Sequence, residues 1–137
     1  MEILVGIIIV LAAAVVVKLV RKQPQPENIE ELRKIAESKA RILPPKPFTT
    51  DGCTFFPDSF LCRDLSKICI EHDMQYWKGG MRDERIAADI KLREGVNRGL
   101  FPLGHIFYLA VRIFGHPKIP GPWRWGYGFD YPYPHEY

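Results

Sequence analysis

Residues 68–76 read ICIEHDMQY, and the spacing of their polar side chains predicts the central helix of the protein. Cys69, His72, Asp73 and Tyr76 stand at positions i, i+3, i+4 and i+7. Side chains at this spacing lie on one face of an α-helix. A histidine, an aspartate and a tyrosine are costly to bury unless each finds a polar partner. The stretch therefore predicts a helix whose polar face belongs to a site.

Two glycines divide the surrounding segment into a pair of helices. One helix is predicted over about residues 61–77 and another over about residues 83–96, with Gly79 and Gly80 ending the first and reversing the chain. Helices joined by a short turn are usually antiparallel neighbours. The fold class expected for this part is a compact, mainly α domain built on two antiparallel helices.

Asp89 on the second helix is the expected partner of the polar face. It shares an otherwise apolar stripe with Leu92 and Val96, so we expect it to point inward, toward His72 and Tyr76. The alternative is a solvated acid at the edge of the stripe, because arginines four residues before and after it offer surface ion pairs.

This arrangement suits hydrolysis. Asp89 would accept a proton from one ring nitrogen of His72 and fix its tautomer, and the other nitrogen would act as a general base toward water. Asp73 points about 100° away from its neighbour and would hold a hard cation together with loop carbonyls. Such a cation would stabilise an oxyanion.

The stretch resembles the phospholipase A2 family, whose helix motif is Cys-Cys-x-x-His-Asp-x-Cys-Tyr. The second cysteine, the His-Asp pair and the tyrosine match, whereas the first and last cysteines are replaced by Ile68 and Gln75. Disulfide-poor viral and bacterial members carry a similarly reduced motif. The resemblance covers about residues 48–96, a third of the chain.

The resemblance implies a calcium-dependent hydrolase that cleaves the sn-2 acyl ester of glycerophospholipids, with membrane phospholipid as its partner. It implies His72 as general base, Asp89 as the acid that orients it, Tyr76 as the tyrosine that supports this acid, and Asp73 as a Ca²⁺ ligand. The alternative function is a catalytically inactive module of the same fold that binds membranes or partners. A His-Asp phosphohydrolase is excluded, because that class needs a histidine upstream and none precedes His72.

The loop before the helix extends the resemblance. Cys53 lies 19 residues before His72, which is the family's spacing for a loop cysteine bonded to the helix cysteine, and this implies a Cys53–Cys69 disulfide. The same register places the calcium-binding carbonyls on Gly52, Thr54 and Phe56. The loop departs from the glycine-rich family pattern and keeps only one of its glycines.

The N-terminal segment predicts a membrane anchor. Residues 3–20 are apolar apart from one lysine, which suits a transmembrane helix better than a cleaved signal peptide, because no basic region precedes them. We expect a single-pass, membrane-anchored protein with an anchor over 1–22, a linker and helix over 23–47, the catalytic domain over 48–116 and a tail over 117–137. The basic residues after the span favour a cytoplasmic domain, whereas calcium and a disulfide favour the exterior.

The remaining segments leave alternatives open. The helix near residues 28–42 either docks on the domain or lifts it off the bilayer. Residues 100–114 are expected to form a core helix or, alternatively, a membrane-facing one. The tail, rich in proline, tryptophan and tyrosine, either rests on lipid headgroups or wraps the domain. A net charge of +3 without a basic stripe argues against nucleic-acid binding, and the sequence does not determine the oligomeric state.

Overall fold

The structure is a computed structural model that describes residues 1–20, 25–53, 59–60, 63–119 and 121–130. Within these residues the chain is mainly helical, with one pair of very short antiparallel strands. The elements in chain order are α1 (Glu2–Val20), α2 (Ile29–Lys39), β1 (Ser59–Phe60), β2 (Arg63–Asp64), α3 (Ser66–Lys78), α4 (Arg82–Leu100) and α5 (Leu103–Phe114).

The predicted transmembrane anchor over residues 1–22 is wrong, and with it the single-pass, membrane-anchored localisation. Among the described residues, α1 included, there is no helix with the length and apolar character needed to cross a membrane. In α1, the charged residues Glu2 and Lys18 leave an uncharged run of 15 residues between them. At 1.5 Å per residue this run covers about 22 Å, which is short of a hydrocarbon core about 30 Å thick.

α3 and α4 are antiparallel neighbours, because their residues meet in opposite order along the two helices. Ile68 lies against Gly95 near the start of α3, and His72 bonds to Asp89 one turn later. α5 packs on α4, and its Phe107 joins an apolar core that also contains residues of α3 and α4. The buried members of this core are Cys53, Leu65, Cys69, Leu92, Val96 and Phe107.

The observed bounds of α3 and α4 differ from the predicted ones because of local turn chemistry. α3 begins at Ser66, about five residues later than expected. The Asp64 carboxylate accepts hydrogen bonds from the Ser66 hydroxyl at 2.6 Å and from its backbone N–H at 2.9 Å, which fixes a turn before the helix. At its other end, Gly79 adopts φ +63°, a left-handed conformation that suits glycine and ends α3. α4 continues to Leu100, four residues beyond the expected end.

α2 docks on the domain, which settles the first open alternative. Ala36 is buried against Phe48, Met74 and Trp77, and apolar residues on the same face of α2 pack beside them. The helix ends at Lys39, three residues before the expected position. This packing places the segment before the site, residues 48–53, directly against α3.

α5 is a core helix on one side, as one of the two alternatives predicted, and its other side is exposed. Its inner face contributes Phe107 to the core, whereas Ile106, Leu109 and Ile113 on the outer face are about half exposed. The outer face of α5 is therefore an exposed apolar surface of the domain.

Residues 121–130 of the tail pack on the domain. Trp125 is fully buried, and its indole N–H donates to the Gly80 carbonyl at 2.9 Å. The backbone N–H groups of Gly126 and Gly128 donate to the carbonyls of Tyr76 and Trp77, at the end of α3. The tail therefore fastens the C-terminal end of α3 rather than projecting from the domain.

Candidate active site

His72, Asp89 and Tyr76 meet between α3 and α4. The Nε2 atom of His72 lies 2.7 Å from Oδ1 of Asp89, and the Tyr76 hydroxyl donates to the same oxygen at 2.7 Å. Asp89 is fully buried, so its inward orientation is the one that the apolar stripe predicted. The three side chains form a hydrogen-bonded cluster where the polar face of α3 meets α4.

The cluster fixes the tautomer of His72. An ionised carboxylate accepts hydrogen bonds but donates none, so the proton in the bond to Asp89 belongs to Nε2 of the imidazole. Nδ1 is then the nitrogen with a lone pair that can take a proton. The histidine itself is 8% exposed, and it lines a pocket at the surface of the domain.

Two arginines lie close to Asp89; sequence reasoning missed Arg112 and considered Arg85 only as a surface partner. Nη1 of Arg112, from the last turn of α5, donates to Oδ2 of Asp89 at 2.7 Å. Arg85, four residues before the acid, is fully buried and donates through Nε to the Tyr76 hydroxyl at 3.1 Å. The alternative that treated this arginine as a solvated surface partner is therefore wrong. The sequence did contain a signal for this contact. Arg112 lies inside an apolar run, and a charge there requires either a buried partner or an exposed position.

Tyr76 is held in its neutral form. Burial, and then the negative charge of Asp89, raise the pKa of its phenol well above the ordinary value, although Arg85 acts in the opposite direction. The hydroxyl therefore keeps its proton and donates a hydrogen bond to Asp89. The ring is clamped by Trp125 in an edge-on contact with centroids 5.0 Å apart, so the tail helps to position the cluster.

The pocket beside His72 has a polar end and apolar walls. His72 and Asp73 lie at the polar end, next to Gly52 of the preceding loop. The apolar walls include Phe107, Ala110 and Val111 from α5 and Leu92 from α4. This lining suits an apolar chain attached to a polar, reactive group.

Asp73 lies between this pocket and a neighbouring one. Its Oδ2 atom accepts a hydrogen bond from the Thr50 hydroxyl at 2.6 Å, and Thr50 Oγ1 in turn accepts the Gly52 N–H at 3.1 Å. The neighbouring pocket is lined by both Asp51 and Asp73. Burial, followed by the charges of Asp73 and Asp51, raises the pKa of Tyr127 well above its ordinary value. Asp73 and Asp51 therefore both place negative charge close to Tyr127.

Several of these groups fit calcium by their chemistry. Carboxylates and backbone carbonyls are the hard oxygen donors that Ca²⁺ takes, and Asp73, Asp51 and Gly52 provide both kinds close to the pocket. The predicted ligands Thr54 and Phe56 lie outside the described residues. Across the described ranges, no group of three or more His, Cys, Asp or Glu side chains is arranged to hold a metal ion. A calcium site here would depend on backbone oxygens and water in addition to carboxylates.

A disulfide joins the loop to the helix. Cys53 and Cys69 are bonded with an S–S distance of 2.06 Å, which is the pairing that the resemblance implied. The bond fixes the loop residue after Gly52 to α3, one helical turn before His72. It thereby holds the loop backbone close to His72.

The chain matches no protein-family model, no curated protein and no solved structure.

Proposed function

We propose that this protein hydrolyses the sn-2 acyl ester of glycerophospholipids in a calcium-dependent reaction, as the phospholipase A2 resemblance implies. The observation that carries the proposal is the 2.7 Å bond between Nε2 of His72 and buried Asp89, at the polar end of an apolar pocket. A histidine whose tautomer is fixed by a buried acid is suited to act as a general base.

The reaction follows from the placement of His72. Nδ1 takes a proton from a water molecule, whose oxygen attacks the ester carbonyl carbon. The bond between that carbon and the glycerol oxygen breaks, and the imidazolium returns its proton to the leaving oxygen. Asp89 stabilises the imidazolium, and Tyr76 holds Asp89 in place. The products are a free fatty acid and a lysophospholipid.

Calcium would be held by Asp73, with Asp51 and the Gly52 carbonyl nearby, and it supplies Lewis-acid stabilisation of the developing oxyanion. The chain's own contribution is the disulfide between Cys53 and Cys69, which keeps the loop beside the helix. The Thr50 hydroxyl orients the Asp73 carboxylate. These contacts position the donors before any ligand arrives.

A lipid substrate is supported by the apolar surfaces around the site. Phe107 and Val111 line the pocket from the inner side of α5, and the outer side of the same helix exposes Ile106, Leu109 and Ile113. An apolar surface beside a reactive site favours a substrate with long acyl chains over a water-soluble ester.

One observation favours the alternative of an inactive binding module. The Asp73 carboxylate accepts a short hydrogen bond from Thr50, so it has a role in the local loop structure that is independent of catalysis. The two functions differ in their response to calcium. A functional site predicts calcium-dependent turnover and stabilisation by calcium, whereas a binding module predicts neither.

The test uses the full chain, purified, with phosphatidylglycerol vesicles that carry an isotope label in the sn-2 acyl chain. We expect labelled fatty acid to be released with Ca²⁺ and not with excess chelator. His72→Gln should lower the turnover by about 10³-fold or more, because the general base is lost. His105→Gln, at an exposed histidine of α5, is the matched control and should retain the activity. Retained turnover in His72→Gln, or no turnover in the unaltered chain, would contradict the proposal.

A further inference from the structure

The proposed chemistry uses one oxygen of Asp89 and leaves the role of the other to be explained. Oδ1 accepts hydrogen bonds from His72 and Tyr76, both on α3. Oδ2 accepts a hydrogen bond from Nη1 of Arg112 at 2.7 Å, which comes from α5. The carboxylate is thus held from two different elements, although it belongs to a third.

We propose that Arg112 is a positioning residue of the active site, which fixes the plane of the Asp89 carboxylate and, through it, the ring of His72. The inference rests on the proposed function for its kinetic consequence. This role makes α5 part of the active site, although Arg112 acts through Asp89 and does not itself contact the reacting atoms.

The physical reason lies in the freedom of a carboxylate. Rotation about the Cβ–Cγ bond of aspartate is soft, because this torsion has broad minima. Two donors on Oδ1 leave the direction of Oδ2 loosely defined, whereas a third, charge-assisted donor on Oδ2 defines the plane. Asp89 is fully buried, so without Arg112 its negative charge would also lose its nearest cationic donor.

Arg85 does not fill the same role, although it is nearer in sequence. Its Nε lies 3.9 Å from Oδ2 of Asp89, which is beyond hydrogen-bonding distance. Its Nη2 donates instead to the carbonyls of Val111 and Arg112, at 2.9 and 2.8 Å. Arg85 therefore fastens the last turn of α5, and the side chain of Arg112 reaches from that turn back to Asp89.

The position of Arg112 makes the inference testable by chemical rescue. Its side chain is 22% exposed, so a truncated variant opens a route from solvent to the oxygen that the guanidinium has left. Added guanidinium ion can then occupy the vacated place and donate to Oδ2. Such rescue would not be expected if the arginine served only to pack α5 on the domain.

The experiment compares three variants of the full chain in the phospholipid assay. For Arg112→Ala we expect kcat to fall about 10- to 100-fold, the range found when groups that orient a reactive residue are removed, with KM little changed. Guanidinium chloride, at concentrations too low to unfold the protein, should restore part of kcat, and the same concentration of sodium chloride should not. Arg112→Lys should recover part of the activity, because it keeps the charge without the planar fork.

Arg93→Ala is the matched control. Its guanidinium lies over the Tyr108 ring at 5.2 Å, so it also joins α4 to α5, but it has no role at Asp89. We expect this variant to keep its kcat. Equal losses in Arg93→Ala and Arg112→Ala, or a loss in Arg112→Ala that guanidinium does not reverse, would overturn the positioning role.

A readout without turnover separates this inference from the proposed function. The proton on Nε2 of His72 reports the hydrogen bond to Asp89 in ¹H NMR, and it is assigned by its absence in His72→Gln. We expect its resonance to move upfield in Arg112→Ala and to return toward its original position with guanidinium or in Arg112→Lys. An unchanged resonance in a folded Arg112→Ala protein contradicts the positioning role, whether or not the chain hydrolyses phospholipid.

Discussion

The two acids beside His72 lie in very different surroundings. Asp89 is fully buried and accepts hydrogen bonds from three side chains on two helices. Asp73 is partly exposed and accepts the Thr50 hydroxyl, next to a loop. The difference separates a rigid part of the site, which sets the tautomer of the histidine, from an adaptable part that would hold a cation. The predictions below test this division, beginning with the largest effect.

Replacing the buried acid should lower turnover by a large factor. In Asp89→Asn, the amide can donate to Nε2 of His72 and so favour the wrong tautomer, and we expect kcat to fall by about 10³- to 10⁴-fold. Calcium affinity should change little, because Asp89 lies on the buried side of the histidine. Turnover and isothermal titration with Ca²⁺ check the two halves separately. Equal loss of both would contradict the division between the two acids.

Replacing the partly exposed acid should change the calcium response. In Asp73→Asn, one carboxylate of the proposed site is lost, and we expect the calcium-dependent part of turnover and the calcium-induced rise in Tm to disappear together. Asp83→Asn removes an equal charge from the exposed first turn of α4 and is the matched control. An Asp73→Asn protein that responds to calcium like the unaltered chain would remove this residue from the proposed site.

The helix-borne part of this comparison was predictable from sequence. His72 and Tyr76 are four residues apart on α3, so their common face follows from spacing alone. The inward direction of Asp89 follows from the apolar residues on its stripe. An antiparallel pair joined by Gly79 and Gly80 then brings the two faces together.

The parts that depend on tertiary contacts were not predictable. The role of Arg112 requires the position of α5 relative to α4, which periodicity does not encode. The tail has no period at all, and only the structure shows Trp125 packed on Tyr76. The anchor prediction is wrong because Lys18 interrupts the apolar run, and the uncharged part alone is too short to span a bilayer.

The smallest expected effect is on stability, and it comes from Glu71 on the outer side of α3. Partial burial acts to raise the pKa of Glu71, but hydrogen bonds and charges from Lys91 and Lys39 outweigh it and hold this pKa below its ordinary value. A lowered pKa in the folded state stabilises the protein above the unfolded pKa, and this contribution is lost as the pH falls through the folded value. Both ion pairs are substantially exposed, so the effect is small.

For Glu71→Gln we expect a loss of about 0.5 kcal/mol in the free energy of unfolding at pH 7, which shrinks toward zero below about pH 4. Urea unfolding at pH 7 and below about pH 4 measures this loss. The control is Glu94→Gln, at an exposed glutamate of α4. A loss that stays constant with pH would show that packing, and not charge, accounts for the effect.

The most direct test of the central claim, that the protein hydrolyses the acyl ester by attack of water on its carbonyl carbon, is hydrolysis in H₂¹⁸O. The full chain is incubated with phosphatidylglycerol vesicles and Ca²⁺, and both products are measured by mass spectrometry. We predict one ¹⁸O atom in the fatty acid released from the sn-2 position and none in the lysophospholipid, because water attacks the carbonyl carbon. No release of fatty acid, or release without incorporation of ¹⁸O, would contradict the account.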